Sequence, residues 1–166
     1  MATINFITMN DVEHKAEVLT MMHGLYSEDE ASSPVDQSRF PLTIDFFLAN
    51  PSQGRIVLFE EGTSLRGYAL LVPYWSNEFG GPLVVVDELF VTPMARNRGI
   101  ARTFFWFLGE HRPFEAVALT LEVSPGNRIP ATDIDGAHQC CRGALLRPER
   151  QLRRRCLLGS GLELAN

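Results

Sequence analysis

Hydrophobic and polar positions recur along this chain with two different periods, and each change of period marks an element. Ile4-Asn5-Phe6-Ile7 alternates and predicts a short strand. From a cap at Asn10 or Asp11 the pattern becomes helical to about Tyr26, with Val12, Ala16, Leu19, Met22 and His23 as the expected buried stripe. A polar stretch from Ala31 to Ser38 reads as a loop. Pro41 then opens a second short helix through Leu48, which Asn50-Pro51 closes. Arg55–Glu60 and Leu65–Val72 predict a hairpin around Glu61-Gly62-Thr63-Ser64. Pro73 to Gly81, aromatic and polar, reads as a loop leading into an apolar, β-branched strand, Val84–Val91. Ile100, Phe104 and Leu108 share one helical face, with Ala101 and Phe105 beside it, until Pro113 stops the helix. Ala116–Val123 alternates again, with Val117, Leu119, Leu121 and Val123 on one face. The predicted order is β-α-α-β-β-β-α-β, an α/β fold with a mixed sheet and helices on its faces.

Two carboxylates, Asp87 and Glu88, interrupt the apolar strand. A carboxylate in mid-strand is costly to bury without a partner or a task, and alternation sends these two to opposite faces. Strand and helix are joined through Arg96-Asn97-Arg98-Gly99-Ile100-Ala101. Small residues at Gly99 and Ala101 let backbone N–H groups at a helix N-terminus approach a ligand. The helix dipole, with Arg96, Arg98 and Arg102 beside it, favours a bound anion such as a phosphate. No Gly-Lys-Ser/Thr follows, so this is not a Walker loop, and the glycine spacing is not that of a dinucleotide fingerprint.

At these residues the chain resembles the GNAT acetyltransferase superfamily. Arg96-x-x-Gly99-x-Ala101 fits its Arg/Gln-x-x-Gly-x-Gly/Ala signature, directly after an Asp-Glu-Leu-Phe-Val strand and ahead of Leu121-Glu122-Val123-Ser124-Pro125-Gly126-Asn127. The resemblance covers roughly residues 3–127 and implies an N-acetyltransferase that moves an acetyl group from acetyl-CoA, as co-substrate, to a primary amine. It implies that backbone N–H groups across Arg98, Gly99, Ile100 and Ala101, with Arg96, hold the pyrophosphate. Leu89, Phe90 and Val91 would lie along the pantetheine, where a backbone N–H polarises the thioester carbonyl, and Asn127 would help hold CoA. Tyr26, Glu28, Asp29 and Glu30 would either meet the acceptor or form a solvated acidic loop. Tyr74 and Trp75 would either present π-faces to an ammonium group or cover the sheet edge. A lysine-like amine has a pKa of about 10 and needs a base at neutral pH. Glu88 is the first candidate, acting directly or through water, and Asp87 the second. Both could instead only satisfy Arg or backbone donors.

Charge and composition change this picture at one point. Residues 1–127 hold sixteen acids and eight Lys or Arg, a net −8, whereas residues 128–166 are net +3 with four acids and seven Arg. The acidic body argues against nucleic acid and suits a cationic substrate, although ordinary solubility charge has the same sign. All sixteen Phe, Trp and Tyr lie in residues 1–114, while all three Cys and half the Arg lie after Asn127. A GNAT chain normally continues there with a helix carrying Leu-Tyr and a Gly-Phe end, then two strands. The expected organisation is therefore a GNAT-like domain over residues 1–127 and a departing segment over 128–166, read in another frame or genuinely divergent. The family's usual general acid, a tyrosine on that helix, has no counterpart, since no tyrosine follows Tyr74. A non-catalytic or impaired CoA-binding remnant is the alternative function. Losing the last helix and hairpin would leave the fifth strand with an unpaired edge, and helical turns are expected instead at Cys141–Leu146 and Glu149–Leu158. No metal is expected, because the Cys and His spacing lacks a ligand pattern. No apolar run reaches membrane-spanning length and no leader pattern opens the chain, so no membrane partner and a cytoplasmic location are expected. A homodimer is compatible with the sequence.

Overall fold

The alternating stretches form strands that hydrogen-bond as neighbours in the order β1-β2-β3-β4-β5-β6. The computed structural model describes residues 3–28, 35–122 and 153–157. Its elements are β1 (Ile4–Thr8), α1 (Lys15–Glu28), α2 (Phe40–Ala49), β2 (Arg55–Glu61), β3 (Ser64–Ser76), β4 (Gly81–Val91), α3 (Ile100–His111), β5 (Ala118–Glu122) and β6 (Arg153–Leu157). The sequence-derived order of the first eight elements is the order observed. The chain divides into two compact units: Met1–Val72 with Val86–Ile100, and Pro73–Val85 with Ala101–Asn166.

In the first unit, β1 runs antiparallel to β2, with Ile4 opposite Glu61 and Thr8 opposite Val57. β2 runs antiparallel to β3, and the two-residue turn Gly62-Thr63 reverses the chain with Gly62 at φ +64°. Gly67 serves a different purpose. A Cβ there would lie 2.2 Å from the Phe90 carbonyl oxygen and 2.8 Å from the Phe59 ring, so glycine lets β3 approach β4 where the candidate site begins. Helices α1 and α2 bury Val18, Met21, Met22, Phe40 and Ile44 in one cluster with Ile56, Leu58, Tyr68, Leu70 and Phe90. Gly24 fits the same contact, since a Cβ on it would stand 3.0 Å from the tip of the Phe90 ring.

The first helix departs from its prediction at both its start and its stripe. It begins at Lys15, because the Asp11 carboxylate accepts the Glu13 N–H at 2.9 Å and holds residues 11–14 in turns. The buried face keeps Met22 and, half-buried, Leu19 from the expected stripe. Val18, Met21 and Met22 are buried, whereas Val12 is 64 % exposed and Ala16 and His23 are also exposed.

In the second unit, Pro73–Ser76 is not a loop but continues β3, and β4 begins at Gly81, three residues before the predicted strand. The Val117 N–H donates to the Pro82 carbonyl at 2.8 Å, so β5 sets off beside the start of β4, as parallel strands joined by a helix do. Gly81 admits Val117, whose side chain would be 3.0 Å from a Cβ there. Phe104, Phe105 and Leu108 of α3 are buried as the spacing predicts.

The expected open edge of β5 is also corrected. Among the described residues, β6 pairs antiparallel with it, Ala118 opposite Leu157 and Glu122 opposite Arg153. Ladder hydrogen bonds are made by the main chain, so a segment without proline can pair even where its side chains show no alternation. The helical turns expected over Glu149–Leu158 are therefore a strand at Arg153–Leu157. Those expected over Cys141–Leu146 lie outside the described residues.

Candidate active site

β4 enters the site with its pleat already sorting the two carboxylates: Asp87 is exposed and Glu88 is 8 % exposed. The buried carboxylate is held by two tyrosines. The Tyr68 hydroxyl on β3 donates to Glu88 Oε2 at 2.7 Å, and the Tyr26 hydroxyl on the last turns of α1 donates to Oε1 at 2.9 Å. Burial pushes the Glu88 carboxyl above its ordinary range; the two hydrogen bonds oppose that shift and the Asp87 charge adds to it. Tyr68, itself wholly buried, is pushed far up by burial and by the neighbouring carboxylate, so its hydroxyl stays protonated. Tyr26 is half-buried, its ring 4.9 Å from that of Phe40. A carboxyl so placed is a stronger base than an ordinary surface glutamate.

The chain then turns from β4 into α3. Asn97 at φ 59° and Gly99 at φ +75° both adopt the left-handed region, and nothing stands within 4 Å of the place a Gly99 Cβ would take. Left-handed residues interleaved in a turn aim successive N–H groups into one concavity, an anion-binding shape placed here at the first turn of α3. Arg96, Arg98 and Gly99 are exposed, Ile100 is buried and Ala101 is half-buried. The arginines are not bare charges. Arg96 donates through Nε to the Val91 carbonyl at 2.8 Å and through Nη2 to both oxygens of Glu28 at 2.8–2.9 Å, with its guanidinium 5.4 Å from the centre of the Phe90 ring. Arg98 grips Glu61, whose Oε2 also accepts from Arg66 Nε at 2.8 Å. The Arg98 hydrogen bond, aided by Arg66, holds the Glu61 carboxyl below its usual range.

The surrounding chain carries a family signature. A sequence model described as the acetyltransferase (GNAT) family matches residues 19–128. The chain belongs to that family. Solved structures of other proteins share its fold. An integron cassette protein from the mobile metagenome of Cole Harbour Salt Marsh is 23 % identical with TM-score 0.62, covering 87 % of this chain and 91 % of its own. A Clostridium difficile 630 protein described as a possible acetyltransferase is 15 % identical with TM-score 0.66, over 89 % and 97 %. The Salmonella typhimurium protein yncA, solved with its cofactor acetyl-CoA, is 14 % identical with TM-score 0.63, over 96 % of each chain. Among curated proteins none matches the sequence significantly.

Of the residues the sequence singled out, the structure brings Tyr26 onto Glu88 and Glu28 onto Arg96. Glu28, expected to meet an acceptor, is thereby engaged with Arg96 beside the Asn97–Gly99 turn. Leu89 and Val91 are half-buried and Phe90 is buried in the cluster under α1. Tyr74 and Trp75 are 61 % and 63 % exposed on the far half of β3, in the second unit. Asp29, Glu30 and Asn127 lie outside the described residues. Two residues escaped the sequence reading, Tyr68 and Glu61. A tyrosine inside an apolar strand needs an acceptor for its hydroxyl, and a mid-strand glutamate needs donors; matching those two needs would have found the Tyr68–Glu88 pair.

Proposed function

We propose that this GNAT protein is an N-acetyltransferase that moves the acetyl group of acetyl-CoA to a primary amine, with Glu88 as the base. The observation that carries the reading is the buried, tyrosine-held Glu88 on the strand that runs directly into the Asn97–Gly99 turn. Acetyl-CoA supplies the activated thioester. The residues present fit it: N–H groups at the head of α3, and the open space beside Gly99, suit a pyrophosphate, with Arg96 and Arg98 close by. Backbone at Leu89–Val91 would line the pantetheine, as the resemblance implies. Glu88 would accept the amine's proton, with Asp87 acting on it through charge. Thiolate with a pKa of about 8.5 is a tolerable leaving group, so turnover survives without a dedicated acid. The acidic body favours a cationic acceptor. No helix among the described residues is long and apolar enough to cross a membrane, which leaves a cytoplasmic role open to such substrates.

A second reading has its own observation. Arg96 and Arg98 are held by Glu28 and Glu61, carboxylates that a pyrophosphate would have to displace or outcompete. On that reading the chain is an impaired CoA-binding GNAT protein whose residues 128–166 depart from the family. Titration calorimetry with acetyl-CoA, followed by a free-thiol assay over a panel of primary amines, separates the two. Binding that collapses in an Arg96→Ala, Gly99→Glu variant, with thiol release in the presence of an amine, supports the enzyme. Binding without thiol release supports the impaired protein. A folded sample that binds no acetyl-CoA overturns both.

A further inference from the structure

Resting on the acetyltransferase reading, we infer that Glu88 does not touch the acceptor amine and that the Tyr26 hydroxyl relays the proton between them. Each oxygen of Glu88 already accepts from a phenolic donor, and the residue is 8 % exposed, which leaves little room for an amine beside it. Tyr68 is wholly buried and cannot reach a substrate. It is a positioning residue that fixes Oε2 and thereby aims Oε1 at Tyr26. Tyr26 is the half-buried member of the trio, on the last turns of a helix, with its ring tilted against Phe40 at 4.9 Å between centres. A phenolic oxygen that donates its own hydrogen keeps lone pairs with which to accept another.

The step balances in protons and electrons. As an ammonium N–H bond breaks, its proton forms an O–H bond at Tyr26 Oη. The original Tyr26 O–H bond breaks in concert and its proton forms an O–H bond at Glu88 Oε1. The nitrogen keeps the electron pair that attacks the thioester carbonyl, the phenol is regenerated, and one carboxylate has become one carboxylic acid. No phenolate persists, which suits a hydroxyl held beside an anion. The titratable groups acting on Glu88 are Tyr26 from α1, Tyr68 from β3 and Asp87 from β4. Burial pushes the carboxyl upward, so it holds a relayed proton better than a solvated glutamate would.

The test follows free-thiol release from acetyl-CoA with spermidine, tyramine and Nα-acetyl-lysine as acceptors, from about pH 6 to about pH 10, where lysine-like amines ionise. Wild type, Tyr26→Phe, Glu88→Gln and the double variant are compared, each checked for melting temperature and for acetyl-CoA binding. The relay predicts that either single substitution lowers kcat/KM by on the order of 10²–10⁴ at neutral pH. It also predicts that both deficits shrink toward the alkaline end, where the amine is already neutral, and that the double variant is no worse than the poorer single one. Placing 3-fluorotyrosine at position 26 keeps the shape and the hydroxyl, and retains most of the activity with a displaced pH profile. Tyr26→Phe at wild-type rate beside an impaired Glu88→Gln overturns the relay and makes Glu88 a direct base. A Tyr26→Phe deficit that is the same at every pH overturns it too, since packing loss has no reason to vanish when the amine deprotonates. Wild-type protein that binds acetyl-CoA yet acetylates none of the three amines fails the acetyltransferase reading itself, and the relay with it.

Discussion

At the scale of single residues, the buried carboxylate makes a prediction in which stability and activity move in opposite directions. Glu88 has a folded-state pKa raised above its ordinary value of 4.5, with burial as the largest cause. A group raised on folding contributes stability below its unfolded pKa and loses that contribution as pH rises through the folded one. Glu88→Gln keeps a side-chain oxygen for a tyrosine hydroxyl and removes the buried charge. The variant should therefore melt above the wild type at about pH 8 and show little difference near pH 4, while acetyl transfer falls by on the order of 10²–10⁴. A gain of about 1 kcal/mol would read as about 2–4 °C in a domain of this size. Thermal melts at the two pH values check it, and a variant that melts lower at pH 8 would mean the carboxylate stabilises the fold. Tyr68→Phe acts differently, because it leaves a buried charge one donor short. It should cost about 1–3 kcal/mol and lower the melting temperature at neutral pH. Glu61 carries the opposite sign. Its carboxyl is depressed, chiefly by Arg98, so its contribution is present above the unfolded pKa and is lost as pH falls through the lower folded value. Glu61→Gln should therefore be destabilised at neutral pH and converge on the wild type in acid, a comparison that chemical denaturation at the two pH values makes directly.

At the scale of elements, the sequence was most legible where one periodicity ran unbroken. Ile100, Phe104, Phe105 and Leu108 could only be one face of a helix, and the structure buries all four. The ends of elements were read less well, because they are decided by contacts that periodicity does not contain. Asp11 accepts the Glu13 N–H in a turn rather than capping a helix, and the face of α1 that packs inward holds Val18 and Met21 beside the expected Met22. Pro73, taken as the end of a strand, sits inside β3. The charged turn before α3 announced itself through Arg96-x-x-Gly99-x-Ala101, but the sequence held no sign that its arginines pair with Glu28 and Glu61, which are distant in the chain. Two glycines allow an element-scale test. Gly67→Ala places a Cβ against the Phe90 carbonyl, a backbone atom that cannot swing aside, so β3 and β4 must separate. It should cost about 1–3 kcal/mol and weaken acetyl-CoA binding together with stability. Gly99→Ala meets no atom and pays only for its left-handed backbone, about 1–2 kcal/mol. If the turn receives the pyrophosphate, Gly99→Ala should weaken acetyl-CoA binding more, relative to its loss of stability, than Gly67→Ala does. Calorimetry and melting on the two variants rank them, and the reverse order would count against the turn as the anion site.

At the scale of the whole molecule, the family pattern stops before the chain does. Aromatic residues end at Phe114 and the basic, cysteine-bearing segment starts just after Asn127, a break that composition shows without any structure. What composition could not show is that a piece of that segment, Arg153–Leu157, hydrogen-bonds along β5. Strand pairing is a main-chain property, whereas the sequence reading weighed side chains, and Arg, Leu and Cys gave no alternation to follow. We propose that this pairing is what the segment contributes, covering an edge that would otherwise recruit other chains. Two hypotheses for its origin make different demands. If residues 128–166 are read in another frame, shifting the coding DNA near codon 128 restores a Leu-Tyr…Gly-Phe pattern; if they are divergent, no frame does. The physical role is independent of that outcome. A chain cut after Asn127 keeps β5 but loses β6, so it should self-associate or precipitate at concentrations where the full chain remains dispersed, and its melting should depend on concentration. Light scattering and melting over a dilution series measure both. A truncated monomer with the full chain's melting temperature would show that the β5–β6 ladder adds nothing to the fold, and would place everything that holds this GNAT protein together before residue 128.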